Sequence, residues 1–161
     1  MNDDVHEPAL ADLPASTRAA VLTLAGLCGL GLLGSSALAF GMIGLAQLRA
    51  SGAGVPDGAG AALFRFAAGS AAFALCRGAF AAMIMRRSRL ARTLAGLLEA
   101  AAIALGLLSW HGGPGYDGPR LGDHTLPAEI TMWFGATAGL AVSLAIIVFL
   151  WSRASEAWCD R

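Results

Sequence analysis

Four uninterrupted apolar runs, at 19–48, 61–85, 90–110 and 130–151, limit what this chain can fold into more than any other feature. Each meets the requirement of ~17–25 residues for a helix that crosses a bilayer. Their richness in Ala and Leu, without polar alternation, argues against strands. The expected fold is therefore all-α, an integral membrane bundle of four transmembrane helices spanning 15–152. A disordered cytoplasmic tail at 1–14 and a juxtamembrane cytoplasmic tail at 153–161 flank it. The 57% hydrophobic content and mean hydropathy of +0.64 agree with this class.

Arginine placement sets the orientation. The chain has no lysine, and four of its eleven arginines (Arg86, Arg87, Arg89, Arg92) lie in one short turn between the second and third runs. If that turn is cytoplasmic, both termini are too. Arg18, Arg153 and Arg161 then join it inside, against Arg49, Arg65 and Arg120 outside. That asymmetry satisfies the positive-inside rule and predicts a multi-pass inner-membrane protein. Trp110 and Trp133 then fall at the outer interface and Trp151 at the inner one. A cleaved signal ending near Ala37-Leu38-Ala39 is disfavoured, because the leader is acidic and the apolar run continues past the ~7–15 residues of a signal core.

The eleventh arginine is the unusual one. Arg77 precedes the turn residue Ser88 by eleven positions, and Glu99 follows it by eleven. Two antiparallel helices rising ~1.5 Å per residue bring both to similar depth in the membrane. Ionisable groups there are costly and face partners rather than lipid. Arg77 and Glu99 are thus the candidate intramembrane ion pair, with Ala95, Gly96, Ala102 and Gly106 around Glu99 admitting a close neighbour.

Small residues mark further packing seams. Gly26, Gly29, Gly31, Gly34, Gly41 and Gly44 suggest that the first helix sits centrally in the bundle. Gly135, Gly139 and Ser143 form a four-residue-spaced stripe on the fourth helix, an intramolecular seam or a homodimer face. Cys28 and Cys76 lie at comparable depth and read as small apolar fillers, with a contact between them possible. The loop at 111–127 holds His111, Asp117, Asp123 and His124, but in no metal-ligand spacing and among too many Gly and Pro to be preorganised. It reads as a solvated connector.

Three short stretches carry a resemblance: Pro14-Ala-Ser-Thr17-Arg18-Ala-Ala20, Arg86-Arg87-Ser-Arg89-Leu-Ala-Arg92, and Leu150-Trp151-Ser-Arg153-Ala-Ser155-Glu-Ala-Trp158. In order and layout they resemble small four-helix membrane proteins of GC-rich actinobacteria. That group commonly has Gly and Trp in the central turn, where this chain has Ser88 and Leu90. The resemblance implies the four-helix topology and supplies no active site.

Function narrows by elimination. No HExxH or CxxC occurs, and His6, His111 and His124 all lie outside the apolar runs. That disfavours a metalloprotease, a disulfide-handling enzyme or a b-type haem protein. Neither an enzyme nor a cofactor is expected. Nucleic-acid binding has no support beyond the arginine turn, which membrane orientation explains. The expected partners are the lipid bilayer and either further copies of the chain or another membrane protein, with the chain acting by self-association or as a small accessory subunit. The alternative is a small transporter using Glu99 as a membrane-embedded binding carboxylate.

Overall fold

The computed structural model describes residues 10–52, 54, 58–110 and 126–160, with the side chains of 109–110 and 126–133 excepted. Five α-helices follow a single 3-10 turn at Leu10–Asp12: α1 Ala15–Ala50, α2 Ala59–Met85, α3 Arg89–Trp110, α4 Leu126–Leu150 and α5 Arg153–Cys159. Among the described residues there are no strands. By length and apolar composition α1, α2 and α3 are each able to cross a membrane. The described part of α4 passes the same test only together with α5, across a 60° bend. This is a multi-pass membrane protein with three, or up to four, such spans.

The helices start earlier than the apolar runs do, since hydrogen bonding rather than hydropathy decides where a helix begins. Pro14 opens α1 by accepting from the Arg18 amide at 2.8 Å. Ser35 and Ser36, in mid-helix, return their hydroxyls to the Gly31 and Leu32 carbonyls at 2.8 Å each. That satisfies both where no water is at hand. The expected disordered tail at 1–14 is only partly within view. Residues 10–12 form the 3-10 turn and Leu13 is buried, while 1–9 lie outside the described residues. The loop at 111–125, with its two His and two Asp, also lies outside them, as do the side chains of Trp110 and Trp133.

The chain divides into two compact units: 21–83, and 1–20 with 84–161. In the first, α1 and α2 pack antiparallel. A Cβ built on Gly78, Gly31, Gly60 or Gly41 would meet Cys28, Ala74, Leu45 or Leu63 respectively, so the partners run in opposite order along the two helices. The approach is closest at two points. A Cβ at Gly31 would fall 2.7 Å from the Ala74 Cβ, and one at Gly78 2.8 Å from Cys28 Sγ. Cysteine 28 therefore fills the space left by a glycine rather than facing Cys76, which is exposed, and both thiols are free. Not every glycine of α1 takes part in this contact: Gly26, Gly29, Gly34 and Gly44 do not. A Cβ at any of them meets nothing within 4 Å. Small residues allow close approach without compelling it.

In the second unit α3 packs on α4, and α5 folds back against both. One face of α3 is buried at Ala91, Ala95 and Glu99, each four residues from the last, and α4 answers with Ser143, Ile146 and Leu150. The opposite face of α3 keeps Leu90, Leu94, Leu97, Leu105 and Leu108 exposed, as a lipid-facing stripe requires. Residues 153–159, expected as a tail along the membrane surface, form instead a capped helix with Ser155, Trp158 and Cys159 buried. The cause is local. Ser152 leaves the helical region (φ −66°, ψ 146°) and its hydroxyl accepts from the Ser155 amide, ending one helix and starting the next.

Candidate functional site

Two polar assemblies stand out in the unit of 1–20 and 84–161. The first is Glu99. Its residue is fully buried on the α3 face, and Ser143 Oγ donates to Oε2 at 2.7 Å. The distance is that of a well-formed O–H···O hydrogen bond. The position follows from spacing. Glu99 is four residues beyond Ala95 and eight beyond Ala91, so the small side chains that let α4 approach also point the carboxylate at it.

The sequence pairs Glu99 with Arg77. Arg77 belongs to the other unit, where its half-buried guanidinium sits 4.4 Å from the Phe73 ring centroid, one helical turn away. Of the expected stripe on α4, Ser143 turns into the α3 seam, whereas Gly135 and Gly139 are exposed and a Cβ on either meets nothing within 4 Å. Within this unit, then, Gly135 and Gly139 do not join Ser143 in the seam with α3. Four residues advance the helix by ~40° beyond a full turn, so Gly135 lies ~80° round from Ser143.

The second assembly joins stretches far apart in sequence. Thr17 Oγ1 donates to Ser155 Oγ at 3.1 Å with both residues fully buried. The Ser152 hydroxyl lies 2.8 Å from Ser16 Oγ and 2.8 Å from the Phe149 carbonyl. Start and end of the chain are so tied by hydroxyls. On the other side of α5, Arg89 Nε pairs with Asp160 Oδ1 at 2.8 Å, while Arg92 Nη2 reaches Glu156 Oε1 at 3.5 Å. Arg92 Nη1 is buried with no acceptor. Burial pushes the Cys159 thiol above the ordinary cysteine value. Asp160 adds to the rise, and Arg92 and Arg89 oppose it.

The turn itself is held from above. Arg87 has φ 61°, the only positive φ among the described residues other than glycine. Its amide donates to the Ile84 carbonyl at 3.0 Å, and that carbonyl also accepts from Trp158 Nε1 at 3.3 Å. The Arg87 guanidinium then stacks over the Trp158 ring, 4.4 Å from its centroid. Ser88 caps α3 by accepting from the Ala91 amide at 3.2 Å.

The three stretches that carried the resemblance therefore meet in one place. In the sequence the arginines read as an orientation signal and the Ser-Arg-Ala-Ser stretch as a tail. A capping serine, Ser152, with an acid, Glu156, in the turn that follows was the available sign of a new helix. Nothing local announced that Thr17 would be its partner. In chemical terms the arrangement is a structural clasp with no nucleophile–base pair. Among the described residues, no group of three or more His, Cys, Asp and Glu is placed to hold a metal. No family model, curated protein or solved structure matches this chain.

Proposed function

We propose that this chain is a four-helix bundle of the inner membrane, with both termini and the 86–92 turn cytoplasmic, that acts by self-association or as a small accessory subunit. The observation that carries this reading is the open face of α4: Gly135 and Gly139, exposed and without a neighbour at their Cβ positions. Without water to expel, membrane helices associate by close backbone packing, and glycines at four-residue spacing are what such packing uses. A second chain of the same kind, or a partner helix, is the natural occupant. In this reading Arg77 and Glu99 form a structural pair rather than a catalytic one, with Ser143 completing the shell of the carboxylate. Membership in the actinobacterial four-helix group would be consistent with all of this.

Gly135→Ile and Gly139→Ile test it. In membrane-permeant cross-linking followed by mass determination in detergent, the parent should run as an oligomer or with a partner, and both variants as lone chains. Parent and variants that are alike and monomeric would sink the reading.

The alternative is transport with Glu99 as the binding carboxylate. It is favoured by the complete burial of a carboxylate that a hydroxyl already solvates. It requires the α3–α4 seam to open. Proton release on adding a cationic substrate to the purified protein, lost in Glu99→Gln, would establish it in place of the first reading.

A further inference from the structure

The seven residues of α5 are too few to stay helical alone, since an isolated helix shorter than ~12–15 residues is marginal in water. What holds α5 is therefore its contacts, and the polar ones are of two kinds. Toward α1 they are neutral: Thr17 to Ser155, both fully buried, and Ser16 to Ser152 just ahead of the helix. Toward α3 they are ionic: Asp160 on Arg89 and Glu156 on Arg92. Buried Trp158 and Cys159 add the apolar part.

The ionic side is open to solvent. The Arg89 and Asp160 side chains are 67% and 43% exposed, and Glu156 is 53% exposed opposite Arg92 at 3.5 Å. Attraction between such charges is screened over ~30 Å in ~0.01 M salt but over only ~3 Å in ~1 M. The hydroxyl bonds carry no net charge and feel no such change. Arg92 also keeps Nη1 buried without an acceptor, an unmet donor in the closed arrangement. At the other end of α5 the chain is already broken. Trp151 and Ser152 separate it from α4 across a 60° bend, so α5 can swing without unwinding α4. The seam between α3 and α4 is closed by buried residues of its own, among them Ala95, Glu99, Ser143 and Ile146.

We propose that α5 is an ionic latch, opening as a unit about Ser152 while α3 and α4 stay packed, and that the ionic strength around it sets how often it opens. Opening uncovers Arg89, Arg92 and Thr17 together. Glu156 and Asp160 thus act as a shield, carried by the chain itself, over two cations of the turn. The latch is independent of any partner at Gly135 and Gly139.

Amide hydrogen exchange of the purified full-length protein in a neutral detergent, read by mass spectrometry on peptides from α3, α4 and α5, tests this. The Glu156 and Asp160 amides are bonded to the Ser152 and Glu156 carbonyls only while α5 is helical, so their exchange reports opening. Raising sodium chloride from about 0.01 M to about 1 M should speed exchange in α5 about fivefold, the effect of screening two exposed pairs, and leave α3 and α4 as they were. Glu156→Gln with Asp160→Asn should exchange fast at both salt concentrations, with the response gone. Thr17→Val should speed exchange by one factor at both and keep the parental response, because the bond it removes is neutral. Should the double variant lose helix content by circular dichroism, Asp160→Asn alone, beyond the last helical residue, decides: a reduced response supports the latch and a full one counts against it. Exchange in parental α5 that ignores salt would overturn the ionic hold. Exchange of α3 and α4 in step with α5 would show one cooperative unit and no latch.

Discussion

Two glycines of α1, Gly29 and Gly31, should respond to the same substitution with opposite sign. An alanine at Gly31 places its Cβ 2.7 Å from the Cβ of Ala74 and 3.7 Å from its Cα. Carbon atoms settle at ~3.5–4.0 Å, so α1 and α2 must separate by roughly 1 Å at that point. The obstacle is a backbone-anchored methyl with no rotamer to escape into, which puts the cost at ~1–3 kcal/mol. Replacing glycine within a helix gives back ~0.8–1.0 kcal/mol of propensity. The net for Gly31→Ala is a loss of up to ~2 kcal/mol. At Gly29 a Cβ meets nothing within 4 Å, so Gly29→Ala keeps the propensity gain alone and should stabilise by up to ~1 kcal/mol. Ala74→Gly in the Gly31→Ala background transfers the methyl from one helix to the other and should recover most of the loss. Thermal unfolding in a single detergent, read as a double-mutant cycle, supplies the coupling. If Gly31→Ala is as stable as Gly29→Ala, or if Ala74→Gly merely adds its own penalty, the close approach of these helices is refuted.

Two other outcomes are expected. Glu99→Gln should destabilise more than Arg77→Gln, because a stranded guanidinium cannot shed its charge whereas a stranded carboxyl can take up a proton. Removing one member of a buried pair costs ~3–5 kcal/mol, and the double change to Leu should recover much of it; additive losses in the cycle would mean the two residues do not touch. Cys159 should alkylate slowly in the folded protein and speed up only at pH above the ordinary cysteine value of 9.0, since burial disfavours its thiolate. A raised folded pKa stabilises below the unfolded value and loses that contribution as pH rises through the folded one. The melting temperature of Cys159→Ala should accordingly fall less at alkaline pH than the parent's, and identical pH profiles would refute this.

The long apolar helices α1, α2 and α3 were legible because membrane insertion writes them as long runs of one composition, whereas α5 was not. The polar contacts were legible only where charge is scarce. Glu99 stood out because an acid in an apolar run has few explanations, and it is indeed fully buried. Its bond to Ser143 was not legible, since a serine on a stripe with Gly135 and Gly139 reads first as a small residue. Hydropathy likewise placed the end of the fourth run at Trp151 but is blind to the bend that follows. That bend depends on Ser152 as a cap, and its direction on Thr17, 138 residues from Ser155. Glycine density did not say which glycine makes the contact: of α1's glycines only Gly31 meets its neighbour tightly, and the choice among them is made by α2.

The hydroxyl tie between Thr17 and Ser155 also sets an order of events during synthesis. With 138 residues between them, and a ribosome adding ~5–20 residues per second, Thr17 waits roughly 7–28 s for its partner. Throughout that interval α1 can be in the membrane while the buried hydroxyl at its start has no acceptor from α5. Only once residues 155–160 have been translated can Ser155, Trp158 and Asp160 reach the turn. A chain cut after Trp151 would therefore carry every apolar run and yet leave Thr17 and Arg89 without these acceptors. Closure of the clasp thus waits on residues 155–160, however early the apolar helices before them are in place.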